Sequence, residues 1–342
     1  MQPDNIVLKT AIDRTISDSL FSFQDIKHQI LALKESLNCN QLHYWANQSG
    51  LIDESMKGKT VLCLHAGNLP LVGIQDLLAV IMTGGKYVGK LSGKDPYLLE
   101  SLLVKLKEHG LGSDSLYDTH LYRLKGIQAD VVLFAGSERS VQAVKEKLLN
   151  LAMINSGTPI LARTAYYSIA WIHDQKPDTM NLLMEAVFRY AGKGCRSVAA
   201  VIAPFSFSSN SCNFTDYVES FWIKNPQLHK PPESLYHRFA LNKAIGVPQI
   251  WLDDFLIEES LKIPDENFIL QWITGGEEKL QEMIKKSRSG LQSIYSTDKY
   301  VGKRIGNRVI ESLDEAQTPP IWWKPDGVDT IHWLQNHVVS KG

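Results

Sequence analysis

The sequence predicts an α/β protein with two domains, each built on a parallel β-sheet. Apolar strand-like runs alternate with helix-like stretches from residue 59 to residue 159, and a second alternating block spans residues 160 to 310. Such alternation implies right-handed βαβ units and parallel strand pairing. The 342 residues suffice for two hydrophobic cores, and 44% hydrophobic with 21% charged residues is an ordinary globular composition.

Two further segments flank these domains. Residues 1 to 58 are predicted to be helical, because their apolar positions are spaced for an amphipathic helix: Leu20, Phe21, Phe23, Ile26, Ile30, Leu31 and Leu33. Residues 311 to 342 form a tail that contains Trp322, Trp323 and Trp333. We interpret this tail as packing against another domain or another subunit.

Composition excludes several functional classes. The 36 Lys and Arg residues nearly balance the 37 Asp and Glu residues, so net charge predicts no basic face for nucleic acid. No apolar run approaches the ~20 residues that span a bilayer, and the amino terminus carries no signal-peptide pattern. The four cysteines, at positions 39, 63, 195 and 212, lack the spacing of metal ligands or of a disulfide scaffold. We expect a reduced, cytoplasmic protein without a metal ion.

The first domain carries two loops suited to a nucleotide. A buried strand over 60–64 is followed by Gly67-Asn68 and by a helix predicted from Pro70 to Met82. A strand over 130–134 is followed by Gly136-Ser137 at the start of another helix. Ligands of open parallel sheets bind beyond the carboxyl ends of the strands, where both loops lie. The amides of Gly136 and Ser137 suit a pyrophosphate, and an ordinary strand-to-helix turn explains them equally well.

Two other features of this domain have a simpler explanation than catalysis. The stretch Gly84–Lys90 has the spacing of a phosphate-binding P-loop, but Leu91 stands where that motif needs a hydroxyl residue for magnesium. Lys90 also ends a strand-like segment, and no helix opens after it. We therefore reject a nucleoside triphosphatase. His65 is interpreted as a structural histidine at a strand end rather than as a proton shuttle.

Cys195 is the main candidate for a catalytic side chain. A helix-like stretch over 181–190 runs into a turn with two glycines, and a strand follows over 197–203. The glycines allow a tight turn and leave space for a ligand near the main chain. The flanking Lys193 and Arg196 favour the thiolate, which is the nucleophilic form. A structural cysteine on a turn is the alternative for this residue considered alone.

Four motifs occur in the order and approximate spacing seen in the aldehyde dehydrogenase superfamily: Asn68 within Gly-Asn-Leu-Pro-Leu, Lys90-Leu-Ser92, Phe134-Ala-Gly-Ser137 and Gly-Lys-Gly-Cys195. Within that superfamily the chain most resembles the long-chain acyl-CoA reductases, the LuxC-like branch. The closing runs 315–320 and 325–330 resemble the same branch. The resemblance covers residues 60 to 335 and implies an aldehyde-dehydrogenase-like fold, with a nucleotide-binding domain over 59–159 and a catalytic domain over 160–310.

The resemblance implies an enzyme that reduces a long-chain fatty acyl-CoA to an aldehyde through an acyl-cysteine. Cys195 would attack the thioester, and Asn68 with the backbone amide of Cys195 would stabilise the oxyanion. Considered without the resemblance, Asn68 is better explained as the N-cap of the helix predicted at Pro70. The amino end of the chain is shorter than in many superfamily members, and a homodimer is left open as the assembly.

The resemblance also implies a dinucleotide site at Lys90, Ser92, Gly136 and Ser137. Many NAD-preferring members of the superfamily carry a glutamate three residues after the lysine that corresponds to Lys90. This chain has Gly93 there, followed by Lys94. A missing carboxylate beside an added cation predicts that NADPH binds more tightly than NADH, with Lys94 near the 2′-phosphate.

One motif of the superfamily is missing. Hydrolytic aldehyde dehydrogenases carry Glu-Leu-Gly-Gly before the thiol, and no glutamate matches in the stretch 160–168, which contains Arg163, Tyr166 and Tyr167. That glutamate activates the water that hydrolyses the acyl-enzyme. Its absence favours the reductase over an aldehyde dehydrogenase working in the oxidative direction. A non-catalytic protein that binds a nucleotide or acyl-CoA is the third alternative.

Overall fold

The structure, a computed structural model, describes residues 6–208, 214–226, 228, 230–252, 254–287, 289–297 and 300–338. The chain divides into two compact units. Unit 1 comprises Met1–Thr164 and Pro320–Gly342, and unit 2 comprises Ala165–Pro319. The chain therefore leaves unit 1 once and returns to it for its last segment. Cys212 lies outside the described residues.

Unit 1 contains a fully parallel sheet. Its strands are β1 (Thr60–Leu64), β2 (Lys86–Lys90), β3 (Leu116–Asp118), β4 (Val131–Ala135) and β5 (Ile160–Arg163). They lie in the order β3-β2-β1-β4-β5, and every neighbouring pair is parallel. The crossover helices are α4 (Ile74–Met82), α5 (Leu98–Glu108) and α6 (Glu138–Asn150). The strand order reverses between β1 and β4, and such a reversal opens a cleft at the carboxyl edge of a sheet.

Three helices precede this sheet in the chain: α1 (Ile6–Ser17), α2 (Phe23–Ser36) and α3 (Cys39–Gln48). The hydroxyl of Ser22 accepts the N–H of Asp25 at the start of α2, and the Asn38 side chain accepts the N–H of Gln41 in α3. These are ordinary N-caps. The apolar positions that predict one amphipathic helix over 20–33 are therefore divided, because α2 begins only after the Ser22 cap.

The tryptophan-containing part of the tail, from Pro320 onward, belongs to unit 1 and includes α11 (Thr330–Val338), whereas residues 311–319 belong to unit 2. The side-chain amide of Gln75 donates to the carbonyls of Ile321 and Trp323, at 2.7 and 2.5 Å. The indole N–H of Trp322 donates to the Gln41 side chain at 2.7 Å. The tail is thus fastened by hydrogen bonds to α4 and α3 of its own chain.

Unit 2 contains an eight-stranded sheet. Its strands are β6 (Tyr167–Trp171), β7 (Val198–Ala203), β8 (Gln249–Leu252), β9 (Phe255–Glu259), β10 (Ile269–Thr274), β11 (Leu291–Ser296), β12 (Arg304–Ile305) and β13 (Arg308–Ser312). The strand order is β12-β13-β11-β6-β7-β10-β9-β8. The inner strands are parallel, whereas β8 and β12 pair antiparallel to their neighbours. Only two residues separate the strands of each outer pair, and so short a connection permits only antiparallel pairing.

The helices of unit 2 are α7 (Pro177–Phe188), α8 (Phe214–Lys224), α9 (Glu233–Ile245) and α10 (Glu277–Ser287). The α/β class and the parallel sheets predicted from the sequence are confirmed, with the antiparallel edges of unit 2 as an addition. Successive strand residues enter opposite cores: Ile169 and Trp171 lie in one apolar cluster and Ala170 in another. This alternation is the period of a strand covered on both faces. Within the described part of the chain, no helix is both long and apolar enough to cross a membrane.

Candidate active site

The candidate residues of unit 1 gather at the carboxyl edge of its sheet. Asn68 follows β1, Lys90 ends β2, and Ser137 follows β4. Because β1 lies between β2 and β4, the three loops are neighbours at the position where the strand order reverses. The prediction that these loops share one edge is confirmed by the strand order.

Asn68 is not the N-cap of a helix. Helix α4 begins at Ile74, and Gly73 occupies its N-cap position. The helix predicted from Pro70 therefore starts later than expected, and the reason is Leu71, whose φ of 56° is left-handed. Such a conformation interrupts a right-handed helix. The alternative explanation of Asn68 as a cap is thereby removed.

The loop after β1 is packed tightly against the loop after β2. A Cβ atom on Gly67 would collide with the Ser92 hydroxyl and would lie 3.0 Å from the Cβ of Lys94. The Leu71 N–H donates to the Asp95 carboxylate at 2.8 Å. Only glycine permits this approach at position 67, so the loop with Asn68 is shaped by the loop with Ser92.

Lys90 lies in a cationic environment. Burial and the nearby charge of Lys147 on α6 both lower its pKa. The described residues place no carboxylate in an ion pair with either lysine. Two cations without a neutralising carboxylate suit an anion such as a phosphate. Lys94 is exposed in the same loop. Since Lys90 ends a strand and no helix follows it directly, the P-loop interpretation is excluded.

Ser137 stands at the N-cap of α6 without capping it. Its hydroxyl makes no hydrogen bond to a helix N–H and instead contacts the Ser140 hydroxyl at 2.9 Å. The N–H of Gly136 donates to the Arg163 carbonyl at 3.1 Å, so the Gly136 amide is already used. The amides of the first turn of α6 remain the groups suited to a phosphate.

His65 is a buried structural residue. Its Nε2 is 2.6 Å from the Tyr87 hydroxyl, and a Cβ on Gly73 would collide with its ring. Burial lowers the pKa of His65 to about 4, the nearby Asp76 partly opposing this shift. The imidazole is therefore neutral at physiological pH.

Arg163 is the last residue of β5. Its guanidinium is buried, pairs with Asp76 at 2.5 Å and donates to Thr330 at 2.5 Å. A buried ion pair of this kind holds α4 and α11 against the sheet. Arg163 is thus engaged in the core of unit 1.

Cys195 lies in the turn before β7, at the amino edge of the second sheet. Helix α7 ends at Phe188, and the chain then passes through three consecutive left-handed residues: Tyr190 (φ 56°), Ala191 (φ 56°) and Gly192 (φ 67°). Non-glycine residues in this region cost about 1–3 kcal/mol each. The strained turn reverses the chain and brings Cys195, partly exposed, to the start of β7.

Hydrogen bonds close the turn around Cys195. The Gly194 N–H donates to the Ser197 hydroxyl at 3.1 Å, and the Ser197 N–H donates back to the Gly194 carbonyl at 2.9 Å. The Ser168 hydroxyl on β6 donates to the Cys195 carbonyl at 3.0 Å. The backbone of Cys195 is therefore fixed from both sides of the turn and from the neighbouring strand.

The two cations beside Cys195 contact other groups as well. The Lys193 ammonium is 5.5 Å from the centre of the Phe268 ring, and the Arg196 guanidinium donates to the Ala316 carbonyl at 3.2 Å. These contacts fix where the two positive charges lie.

A cavity of about 130 Å³ opens at the same edge of this sheet. Its lining is mixed, with the aromatic residues Tyr166, Phe255 and Phe268 beside polar residues of the loop before β10. Gly192 and Ser197, from either side of Cys195, also line it. Glu266 contributes a carboxylate whose Oε2 is buried without a hydrogen-bond partner among the described residues. An unpartnered buried carboxylate oxygen is costly and therefore points to a function.

Sequence reasoning missed Asp95 and Glu266, because each is one carboxylate outside any motif. Asn68 and Cys195 belong to different compact units. Within unit 1 the structure does gather Asn68, Lys90, Ser92 and Lys94 on adjoining loops. Among the described residues, no cluster of His, Cys, Asp and Glu has the arrangement of a metal site.

No protein-family model matches this sequence, and no curated protein matches it. Solved structures match its fold. A crystal structure of a bifunctional proline utilization A protein has a TM-score of 0.53 and 16% identity, covering 70% of this chain and 28% of that one. A putative methylmalonate-semialdehyde dehydrogenase from Sinorhizobium meliloti 1021, complexed with NAD, has a TM-score of 0.52 and 14% identity, covering 71% and 57%. A putative aldehyde dehydrogenase PutA from Anabaena variabilis has a TM-score of 0.52 and 13% identity, covering 85% and 73%.

The chain therefore has the α/β fold of the aldehyde dehydrogenases. At 13–16% identity, the likeness shows the fold alone. The chain spans 28% of the proline utilization A protein and 57% of the methylmalonate-semialdehyde dehydrogenase.

Proposed function

We propose that this chain is a nicotinamide-dependent oxidoreductase that carries an acyl group on Cys195, and that it reduces fatty acyl-CoA to aldehyde with NADPH. The position of Cys195 carries the proposal: a partly exposed thiol in a strained turn, within an aldehyde dehydrogenase fold. The buried Cys63, by contrast, is a core residue. Two of the similar solved structures are dehydrogenases complexed with NAD, which supports a nicotinamide cofactor.

The chemistry begins with the Cys195 thiolate. It attacks the thioester carbonyl, the bond from the carbonyl carbon to the coenzyme A sulfur breaks, and coenzyme A leaves as a thiolate that takes up a proton. The carbonyl oxygen becomes negative in the tetrahedral state. Asn68 and the Cys195 N–H are the proposed donors to that oxygen, as the resemblance implies.

The residues of unit 1 fit a dinucleotide phosphate. Lys90 and Lys147 supply positive charge and form no ion pair with a carboxylate among the described residues, and the Ser137 side chain does not cap the first turn of α6. When bound, the cofactor supplies the hydride that converts the acyl-cysteine to a hemithioacetal. Breakage of the bond from Cys195 to the carbon then releases the aldehyde and regenerates the thiolate.

The local chemistry of β5 supports a reductase. Arg163 stands in the segment where a hydrolytic enzyme has its glutamate, and the guanidinium is held in the core by Asp76. Without a base in that segment, water is a poor acceptor of the acyl group. The acyl-cysteine would then wait for hydride or for coenzyme A.

One observation favours a second candidate function, an aldehyde dehydrogenase that produces a carboxylic acid. Glu266 is one of the residues that line the cavity beside Gly192 and Ser197, and its Oε2 is buried without a hydrogen-bond partner among the described residues. A carboxylate at this cavity could act as the base for water from the loop before β10. The two functions differ in product, since only the dehydrogenase makes free acid.

Intact mass spectrometry tests the proposal. The protein would be mixed with acyl-CoAs of increasing chain length, and we expect one acyl adduct, located on Cys195 and cleaved by hydroxylamine. Cys195→Ser should form no adduct, whereas the exposed Cys39→Ser should acylate normally. Addition of NADPH should discharge the adduct as aldehyde. An adduct that forms equally on Cys39, or none with any acyl-CoA, would overturn the proposal.

A further inference from the structure

Asp95 is a buried carboxylate that fastens two functional loops together. It lies in the loop after β2, five residues after Lys90, and is only 5% exposed. Its Oδ2 accepts the N–H of Leu71 at 2.8 Å, in the loop that carries Asn68. Asp95 is therefore the hydrogen-bonded connection between the loop after β1 and the loop after β2.

The hydrogen bond between Leu71 and Asp95 lies at a strained position of the backbone. Leu71 has a φ of 56°, which a non-glycine residue adopts only at a cost. The bond from its N–H to Asp95 holds that conformation, and it delays the start of α4 to Ile74. Asn68 lies three residues before Leu71 and is thereby kept outside the first turn of α4.

The arrangement is unfavourable for stability alone. The second oxygen, Oδ1, is buried and makes no hydrogen bond of normal geometry among the described residues, and the Leu98 N–H at the start of α5 stabilises the carboxylate only in part. A buried carboxylate with one unpartnered oxygen loses hydration that its bonds do not fully replace. Accordingly, burial raises the pKa of Asp95 to about 6, although the backbone N–H groups of Leu71 and Leu98 oppose the shift. An asparagine of the same shape would avoid this cost.

We propose that the Asp95 carboxylate is a positioning residue, which holds the Asn68 loop in its working conformation through Leu71 and ties it to the loop that carries Lys90 and Ser92. The inference rests on the proposed function, because it assigns a task to the loop of Asn68. In physical terms, the fold keeps the hydrogen bond from the Leu71 N–H to the Asp95 carboxylate although the buried charge lowers the free energy of unfolding.

Few charged groups surround Asp95. Lys90 and Lys94 lie in its own loop, and neither forms an ion pair with it among the described residues. Tyr97 lies two residues after Asp95, and Arg14 of α1 stacks on its ring. The Tyr97 hydroxyl donates to the carboxylate of Asp18, just after α1, at 2.6 Å. Protonation of Asp95 should weaken its bond to Leu71, because a neutral acid is a weaker acceptor than a carboxylate.

The test compares Asp95→Asn with the unmutated protein and with Asp114→Asn, an exposed aspartate of the same unit. We expect Asp95→Asn to raise the melting temperature at pH 7.5 while lowering kcat by roughly 10–100-fold, the loss typical of a misplaced catalytic group. The fall of kcat as pH drops through about 6 should disappear in Asp95→Asn. Asp114→Asn should change neither quantity.

Hydrogen exchange separates this inference from the proposed function. The amides of residues 66–73 should exchange faster in Asp95→Asn, and in the unmutated protein they should exchange faster at pH 5 than at pH 7.5 after correction for intrinsic rates. Hydrogen exchange is measured without a substrate, so the result tests the role of Asp95 even if the substrate is not an acyl-CoA. Unchanged exchange in this loop, or a kcat loss that merely follows a lower melting temperature, would overturn the positioning role.

Discussion

Ser197 closes the turn of the candidate nucleophile through two hydrogen bonds to Gly194. Its hydroxyl accepts the Gly194 N–H at 3.1 Å, and its N–H donates to the Gly194 carbonyl at 2.9 Å. Cys195 lies between these two residues in a closed ring of backbone and side chain. Tyr190 and Ala191 are strained just upstream, and this ring together with the hydrogen bond from Ser168 holds Cys195 at the start of β7.

Ser197→Ala should therefore loosen the turn. It leaves the buried Gly194 N–H without its partner, which costs about 1–3 kcal/mol. We expect the free energy of unfolding to fall by that amount and the rate of Cys195 alkylation by iodoacetamide to change, measured in a Cys39→Ser background. Ser208→Ala, at an exposed serine, is the matched control. An unchanged alkylation rate would mean that the turn is held by other contacts.

Asn68→Ala tests the oxyanion assignment. Because Gly73 rather than Asn68 occupies the N-cap of α4, removal of the Asn68 amide should not lower the melting temperature through loss of a helix cap. The value of kcat should fall by roughly 10²–10³-fold, the loss of one oxyanion donor. Thermal denaturation and steady-state kinetics on one preparation measure both. A stability loss without a kinetic loss would refute the role of Asn68.

Cofactor preference tests the loop after β2. We expect NADPH to bind more tightly than NADH, and we expect Lys94→Ala to reduce the difference in affinity between the two cofactors. A charge-assisted contact is worth about 1.5–3 kcal/mol, or about one to two decades in affinity, and the exposed position of Lys94 places the effect at the lower end. Fluorescence titration of both cofactors would measure it, with Lys34→Ala on α2 as control. Equal affinities in the unmutated protein would contradict the prediction.

His65 and Asp95 should give unit 1 two opposite pH dependences. The folded-state pKa of His65 is lowered to about 4, so its contribution to stability is present above its unfolded pKa of 6.5 and is lost as pH falls towards 4. The folded-state pKa of Asp95 is raised to about 6, so the folded state is favoured by protonation and loses stability as pH rises from 3.8 through 6. Each effect has a limit of about 3 kcal/mol.

The two effects partly cancel between pH 4 and 6, and variants should separate them. Stability of His65→Gln should rise as pH falls from 7 to 5 relative to the unmutated protein, whereas that of Asp95→Asn should fall. Urea denaturation at several pH values provides the free energies of unfolding. If the free energy of unfolding depended on pH in the same way in all three proteins, the shifted pKa values of His65 and Asp95 would be contradicted.

Much of the fold follows from local sequence signals, and the departures have physical causes. The alternation of apolar strands and helices predicts the parallel pairing in both sheets, because a crossover helix returns the chain to a neighbouring parallel strand. Pro70 is a normal helix-start signal, but the tertiary bond from Leu71 to Asp95 overrides it. The left-handed conformations of Tyr190 and Ala191 leave no trace in residue type, since neither is a glycine.

Some residues of the candidate site could likewise be predicted from the sequence, and others could not. Cys195 and Asn68 stand beside glycines and within a family resemblance, so the sequence singles them out. Asp95 and Glu266 matter because of burial and an unpartnered oxygen, and both properties arise only when distant segments meet. Single carboxylates in a chain with 37 acidic residues cannot be distinguished before folding.

The fate of the acyl-enzyme decides between the two candidate functions. A positioned general base is worth roughly 10²–10⁴-fold, so without one the acyl-cysteine should resist water. Offered an aldehyde and NADP⁺ alone, the enzyme should stall after about one turnover per site, as the acyl group remains on Cys195. Free coenzyme A should restart it, with acyl-CoA as the product, measured by absorbance at the nicotinamide band and by mass spectrometry. Steady formation of carboxylic acid without coenzyme A, abolished in Glu266→Gln, would instead establish the aldehyde dehydrogenase and assign Glu266 as its base.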